Sequence, residues 1–145
     1  MERPVVKVIL AEGAQLPEYA TPGAAGVDLR CLAEVALAPG ERKLVGTGLY
    51  VEIPAGFEGQ VRPRSGLALR HGLSMVNTPG TIDSDYRGEV GILLINHGEQ
   101  HVRLAAGERI AQMVICPVVQ ATFVAAEVIT ATDRGSGGFG STGLK

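Results

Sequence analysis

The chain consists largely of short segments that have the length and composition of β-strands. Six of them are rich in β-branched residues or alternate apolar with polar residues, which is typical of strands. These six segments are residues 5–10, 27–32, 42–53, 89–96, 101–104 and 108–119. Turn-forming stretches with glycine or proline separate them, at residues 38–41, 53–59, 96–100 and 105–108. Many short strands at close spacing predict an all-β fold, either a sandwich or a barrel.

Two segments depart from this pattern. In "RSGLALRHG" (64–72) a short helix is predicted, because Ser65 can cap its N-terminus and Gly72 can end it. The last stretch, "DRGSGGFGSTGLK" (133–145), contains five glycines and cannot build a core, so it is expected to be mobile unless a ligand orders it. We therefore predict a single β-barrel domain over residues 1–132 and a flexible arm over residues 133–145.

Composition excludes some functional classes. The formal net charge of −2 is not that of a duplex-binding protein, so no direct nucleic-acid binding is expected. Cys31 and Cys116 both stand in apolar contexts, which indicates buried thiols in a reducing compartment. The chain shows no signal peptide and no apolar run of membrane-spanning length, so a cytoplasmic location without membrane contact is expected.

The stretch "GTIDSDYRGEV" (80–90) places two carboxylates, Asp83 and Asp85, close together between glycines. In an extended segment both would point to the same side. An aspartate near bound phosphate can orient a water molecule and accept its proton. The same stretch can equally be a solvated hairpin turn, and its local pattern does not separate the two readings.

Two further segments carry cations in settings that suit an anion. Arg64 and Ser65 precede the predicted helix, and Gly66 would let an anion approach the backbone. In the tail, Arg134 and Phe139 could close over a ligand that carries both a phosphate and a base. An ordinary capped helix and a flexible terminus without function remain the alternatives.

Five segments of the chain, taken together and in their order, form a far more specific sequence signature than any one segment alone. They are "AAGVDL" (24–29), "PRSGLA" (63–68), "NTPGTIDSDYRGEV" (77–90), "GERIAQMVI" (107–115) and "RGSGGFGSTG" (134–143). This series resembles the five ordered motifs of the trimeric deoxyuridine triphosphate diphosphatases, the dUTPases. The resemblance extends over residues 17–143.

The resemblance implies a fold, an assembly and a reaction. The fold would be a distorted β jelly roll, as a barrel or sandwich, with one short helix. The chain would form a homotrimer in which all three subunits contribute to each active site. The enzyme would use Mg²⁺ to hydrolyse dUTP to dUMP and pyrophosphate, which limits uracil incorporation into DNA and supplies dUMP for thymidylate synthesis.

The resemblance also implies individual roles. Asp83 would be the base that deprotonates the attacking water, and Tyr86 would pack against the deoxyribose. Asp28 would lie near the metal and touch it through water. The remaining matched residues would bind substrate: Asn77, Gly80 and Gly91 in a hairpin that reads uracil, Arg64, Ser65, Gly66 and Gln112 on the triphosphate, Arg134 on the terminal phosphate and Phe139 over the base.

Two alternatives of other classes share the predicted fold. The related dCTP deaminases use a glutamate in the strand after the third motif, where this chain has Leu93 in "VGILLIN". A catalytically silent β-trimer that serves as a binding module would have the same composition, and only the site residues argue against it. Release of ammonia from dCTP, or of pyrophosphate from dUTP, distinguishes these alternatives.

Overall fold

The computed structural model describes residues 2–143, in which ten β-strands and one short α-helix are present. The strands are β1 Lys7–Leu10, β2 Val27–Arg30, β3 Val35–Leu37, β4 Arg42–Glu52, β5 Phe57–Arg62, β6 Leu73–Met75, β7 Gly80–Ile82, β8 Glu89–Asn96, β9 Val102–Leu104 and β10 Arg109–Pro117, and the helix is α1 Ser65–His71. The first residue of the predicted barrel domain, Met1, and the last two of the predicted arm, Leu144 and Lys145, lie outside the described residues.

The strands form two four-stranded sheets and one two-stranded ribbon, and every pairing between them is antiparallel. The first sheet has the order β1-β4-β8-β6, the second has the order β2-β10-β5-β7, and β3 pairs with β9. Strands that are distant in sequence lie side by side, as in a jelly roll. The prediction of an all-β, distorted jelly-roll fold with one short helix is confirmed.

All six predicted strand segments contain a strand, with ends that shift by up to two residues. The prediction was most accurate for β8, whose side chains alternate between half-buried and buried positions along its whole length. It missed β3, β5, β6 and β7. Three of these have only three residues, which is too short for an alternating pattern to stand out. The fourth, β5, begins directly after Gly56, so its first residues were predicted to be part of a turn.

The core lies between the sheets and is apolar. It is built from residues such as Leu29, Val61, Ile92, Leu94 and Ile110, which are at most 2% exposed. In β8 the buried positions alternate with half-buried ones, so one face of the strand packs into the core. The other face of the same strand is therefore left to form the wall of a surface site.

The short helix ends as predicted but begins differently. Gly72 adopts the left-handed conformation with φ of 69° and donates its N–H to Ala68 O, which ends the helix. Ser65 does not cap the N-terminus, so that prediction was wrong. Ser65 is already helical, the N-cap residue is Arg64 with extended backbone angles, and no side chain caps the helix there. The Arg64 side chain instead contacts Asp28.

A bulge in β4 shapes the surface beside β8. Gly46 pairs with Gly91 and Tyr50 pairs with Glu89, so three residues of β4 oppose one residue of β8. Gly48 lies within the bulge at φ of 71°, a conformation that favours glycine. Thr47 is buried there and donates its hydroxyl to Val90 O at 2.6 Å.

Beyond β10, residues 118–143 contain no helix and no strand, and most of their side chains are exposed, including several large apolar ones. Within residues 2–143, the one helix is too short to cross a membrane.

Candidate active site

The connection between β7 and β8, residues 83–88, carries two of the predicted site residues and is here named the Asp83 loop. Tyr86 N–H donates to Asp83 O at 3.1 Å and closes a turn. This turn contradicts the prediction that Asp83 and Asp85 lie on one side of an extended segment. The loop is also no hairpin in the described chain, because β7 pairs with β5 while β8 pairs with β4 and β6. The loop passes from one sheet to the other.

A surface pocket with a volume of about 550 Å³ lies beside this loop and is here named the corner pocket. Asp83 and Tyr86 line it, and Asp85 does not. Three other predicted site residues, Asn77, Gly80 and Gly91, also line it. The structure therefore brings together in one place the five residues expected around the water and the nucleoside.

The Tyr86 ring is held from two directions. Its hydroxyl donates to Glu89 O at 2.8 Å, and the ring lies directly against Gly88, where any Cβ atom would overlap the tyrosine hydroxyl. A residue larger than glycine at position 88 would displace the ring. The loop thus holds an aromatic ring in a fixed position in the lining of the corner pocket.

Glu89 forms part of the pocket wall and anchors it to the β4 bulge. Its Oε1 atom accepts a hydrogen bond from the N–H of Gly48 at 2.8 Å. The same oxygen would lie only 2.8 Å from a Cβ atom added at Gly46. Glycine is therefore needed at position 46 for the carboxylate to pack against the backbone. Leu44 packs on Gly91 in a similar way, because its Cδ1 atom would lie only 2.7 Å from a Cβ atom at position 91.

A second group of predicted site residues lies at the end of the other sheet and is here named the cation cluster. Asp28 on β2 and Gln112 on β10 are direct register partners. Arg64 Nε lies 3.4 Å from Asp28 Oδ1, and Arg109 Nη1 lies 3.5 Å from Asp28 Oδ2. Gln112 Nε2 donates to Pro63 O at 3.0 Å, which fixes the chain just before Arg64.

Two cations on one carboxylate leave the cation cluster with net positive charge. All three charged side chains are partly exposed, Asp28 at 24% and Arg64 at 27%, so an anion in solution can reach them. Ser65 and Gly66 follow Arg64 in the first turn of α1. At Gly66 a Cβ atom would meet only the Arg70 guanidinium, at 3.7 Å, so the backbone there is open. This arrangement suits phosphate oxygens.

The tail residues contact neither group in the described part of the chain. Arg134 Nε donates to Gly137 O at 2.8 Å, and short turns join Gly135 to Thr132 and Ser141 to Gly138. Phe139 is fully exposed and has a positive φ of 52°. The structure therefore leaves the predicted site in three separate parts: the corner pocket, the cation cluster and the tail.

Several site residues were not found from the sequence. Arg109 joins the cation cluster only because β2 and β10 pair across about eighty positions, which no local pattern reveals. Leu44, Gly46 and Glu89 line the corner pocket from neighbouring strands. The available signal was "VGTGL", because glycines inside an apolar strand often mark a close backbone approach.

No group of three or more histidine, cysteine or acidic side chains placed to hold a metal ion occurs within residues 2–143. The carboxylate of Asp28 is shared by two arginines. Mg²⁺ keeps several waters and is commonly bound through one or two carboxylates together with substrate phosphates. A single carboxylate beside two partly exposed arginines is compatible with that mode of binding.

The chain matches the family model for dUTPase over residues 12–143. It is 65% identical over 129 residues to the deoxyuridine 5'-triphosphate nucleotidohydrolase of Anaeromyxobacter sp. (strain Fw109-5), covering 89% of this chain and 88% of that protein. It is 59% identical over 137 residues to the enzyme of the same name from Chlamydia pneumoniae, covering 92% of this chain and 94% of that one.

Solved structures show the same similarity in three dimensions. A mutant dUTPase of Staphylococcus bacteriophage 80alpha with dUpNHpp superimposes with a TM-score of 0.90 at 28% identity, covering 97% of this chain and 99% of that one. A mutant dUTPase from phage phi11 of S. aureus, described for its coordination of a structural Mg(II) ion, superimposes with a TM-score of 0.79 at 25% identity, covering 86% and 97%.

Proposed function

The chain belongs to the dUTPase family and hydrolyses dUTP to dUMP and pyrophosphate, and from this premise we propose that Asp83 activates the attacking water. The observation that carries the proposal is the position of Asp83 at the corner pocket, together with Asn77, Gly80, Tyr86 and Gly91. Asp83 takes a proton from water as the water oxygen bonds to the innermost phosphorus. The bond from that phosphorus to the bridging oxygen breaks, and pyrophosphate leaves.

The corner pocket binds the deoxyuridine part of the substrate. Asn77, Gly80 and Gly91 contribute to reading uracil, and the close packing of Leu44 on Gly91 supports a tightly shaped site. A pocket without room at C5 rejects thymine, and buried polar groups that cytosine leaves unpaired cost roughly 1–3 kcal/mol each. Tyr86, held by Glu89 O and Gly88, packs against the deoxyribose where a 2′-hydroxyl would collide.

The cation cluster binds the triphosphate. Arg64, Ser65, Gly66 and Gln112 contact its oxygens, and the net positive charge around Asp28 supports this role. Because negative charge builds on the departing pyrophosphate, fixed cations there stabilise the transition state more than the ground state. Gln112 also holds the chain at Pro63, so it keeps Arg64 in place.

Magnesium is the proposed cofactor. Asp28 would hold it through water, beside the triphosphate that supplies its other ligands, and its place between two arginines argues against a direct, all-protein metal cage. When bound, Mg²⁺ neutralises phosphate charge. Asp28 thereby has two tasks, to keep Arg64 and Arg109 oriented and to attract the cation that accompanies the substrate.

We propose a homotrimer in which each active site is assembled from three chains. Two observations support it: the site residues occupy three separate places in one chain, and residues 118–129 expose large apolar side chains, among them Val119, Phe123 and Ile129. Such an apolar segment is unusual on a monomer and is expected to be covered by a neighbouring subunit. We place this enzyme in the cytoplasm, without membrane or direct nucleic-acid partners.

The tail, residues 133–145, acts as the flexible arm that completes the site beyond the barrel domain of residues 1–132. Arg134 contacts the terminal phosphate and Phe139 stacks over uracil. Twelve residues can reach about 40 Å when extended, enough to cross to another subunit. Closure of the arm excludes water and fixes the triphosphate.

The test compares the wild type with Asp83→Asn on dUTP, dTTP, dCTP and UTP, following pyrophosphate release. The wild type is expected to hydrolyse dUTP selectively. In the variant kcat for dUTP falls by about 10²–10⁴-fold, because a general base contributes that much, while KM stays within about threefold. Asp85→Asn is the matched control, since Asp85 lies in the same turn but outside the pocket. An Asp83→Asn enzyme that cleaves dUTP at an undiminished rate refutes the proposed role.

A further inference from the structure

One arginine holds the turn that presents Asp83. Arg87 Nη1 donates to Ser84 O at 2.7 Å and to Tyr86 O at 3.1 Å. The turn itself has a single backbone hydrogen bond, from Tyr86 N–H to Asp83 O. A guanidinium that binds two carbonyl groups of one turn restricts the turn in two directions. Arg87 thus adds more contacts to this turn than the backbone does.

The same guanidinium ties the turn to the first sheet. Arg87 Nη2 lies 3.5 Å from Glu52 Oε1 at the end of β4, and Glu52 Oε2 lies 3.1 Å from Lys7 Nζ on β1. The Lys7 ammonium, through its hydrogen bond and charge, and more weakly Arg87, holds the pKa of Glu52 below its ordinary value. Glu52 is therefore charged at neutral pH. This row of charges anchors the loop to Glu52 and Lys7, neither of which lines the corner pocket.

Arg87 does not touch the space in which the nucleoside binds. Tyr86 and Glu89 line the corner pocket on either side of it in sequence, but Arg87 does not. Its side chain is 55% exposed and that of Glu52 is 45% exposed, and exposed ion pairs contribute little to folding stability. A role in folding alone therefore explains little of this arrangement.

We propose that Arg87 is a positioning residue for hydrolysis, which fixes the Asp83 turn through the Ser84 and Tyr86 carbonyl groups and is itself oriented by Glu52. The inference rests on the proposed role of Asp83 as the base. Reaction rates depend steeply on the placement of the reacting groups, and an error of 1 Å can cost about 100-fold in rate. A side chain that contributes little to stability can therefore contribute much to kcat.

The experiment measures kcat and KM for dUTP, together with the unfolding temperature, in Arg87→Ala, Arg87→Lys and Glu52→Gln. In Arg87→Ala kcat is expected to fall about tenfold, while KM stays within about twofold and the unfolding temperature stays within a few degrees. Arg87→Lys should recover part of the loss, because an ammonium can still donate to Ser84 O. Glu52→Gln should lower kcat about two- to threefold, since only the orientation of Arg87 is lost.

The matched control is Arg103→Ala, which removes an exposed arginine of β9 that pairs with Glu34, the residue just before β3. It should leave kcat and KM unchanged. Wild-type kcat in Arg87→Ala overturns the positioning role, and so does a raised KM with unchanged kcat, which would mean direct contact with substrate. A large loss of thermal stability in both Arg87 variants would also overturn it, because Arg87 would then belong to the fold.

Failure of this inference differs from failure of the proposed function. If Asp83→Asn is inactive and Arg87→Ala is fully active, then Asp83 is the base and its turn needs no help from Arg87. If Asp83→Asn itself retains wild-type turnover, the base has been misassigned. Binding of a non-hydrolysable dUTP analogue to Arg87→Ala, measured by calorimetry, shows that any loss of kcat occurs in a folded, binding-competent enzyme.

Discussion

The Asp83 loop and the tail both carry proposed site residues, but the chain holds the two segments in different ways. The loop is fastened by Tyr86 to Glu89, by Arg87 to Ser84 and by Arg87 to Glu52. The tail makes only short turns within residues 132–143 in the described chain, such as the bond from Arg134 to Gly137. The folded chain therefore fixes the Asp83 loop through several contacts, whereas the described part of the tail is held only by its own short turns.

Under the proposed function, this difference in structure corresponds to two different tasks of the enzyme. Recognition of a small base needs polar groups at fixed positions, so the ordering cost of the Asp83 loop is met during folding. Enclosure of the triphosphate needs a segment that opens to admit substrate and to release product. Glycines keep that segment free, and contacts with the ligand must offset the entropy lost when it orders.

Removal of the tail is expected to have the largest effect on activity. A chain truncated after Thr132 is expected to fold and assemble, while kcat/KM for dUTP falls by at least about 100-fold, because Arg134 and Phe139 are lost and water enters the site. Steady-state kinetics and the mass in solution measure the two properties. Near-normal activity of a folded, truncated enzyme would show that residues 133–145 are not the lid.

The loop and the tail also differ in how far their structure could be predicted from the sequence. Residues 133–143 contain no helix and no strand, which agrees with their composition, because a glycine-rich stretch with few apolar residues cannot form a core. Strand β8 was predicted for a similarly local reason, its regular alternation. The grouping of Asp28 with Arg109 could not be predicted, since it depends on the pairing of β2 with β10.

Local sequence patterns gave wrong predictions at positions where tertiary contacts determine the structure. Ser65 has the chemistry of a helix cap, yet the helix already includes Ser65, and the N-cap residue is Arg64, whose side chain contacts Asp28. Asp83 and Asp85 alternate in sequence, yet the turn that Tyr86 closes places only Asp83 at the corner pocket. The resemblance of the five motifs suggested which residues form the site, but it did not predict the contacts that hold those residues.

A smaller effect tests whether the corner pocket is as firmly built as its contacts indicate. Glu89→Ala removes the acceptor of the Gly48 N–H and should destabilise the fold by about 1–2 kcal/mol, because a partly buried donor is left unpaired. Glu89→Gln keeps a carbonyl oxygen at the same position and is the matched control. Thermal unfolding measures both. Equal unfolding temperatures for the alanine and glutamine variants would contradict this account of the pocket wall.

The smallest expected effect concerns the charge that anchors the Asp83 loop. The pKa of Glu52 is lowered in the folded chain, by Lys7 first and also by Arg87. The stabilisation is therefore fully present above about pH 5 and is lost as the pH falls through the lowered pKa. Glu52 is exposed, so Glu52→Gln should lower the unfolding temperature by only about 1 °C at pH 7.

That small difference between the wild type and Glu52→Gln should shrink as the pH falls below about 4, and it should shrink at neutral pH as salt is added, because screening weakens exposed ion pairs. Unfolding temperatures of both proteins across pH and salt measure the trend. A difference that grows on acidification would show that protonated Glu52 makes the better contact and that the loop is anchored by something other than charge. A difference that follows the expected trend, together with a lowered kcat, would show that one weak ion pair matters more for catalysis than for folding.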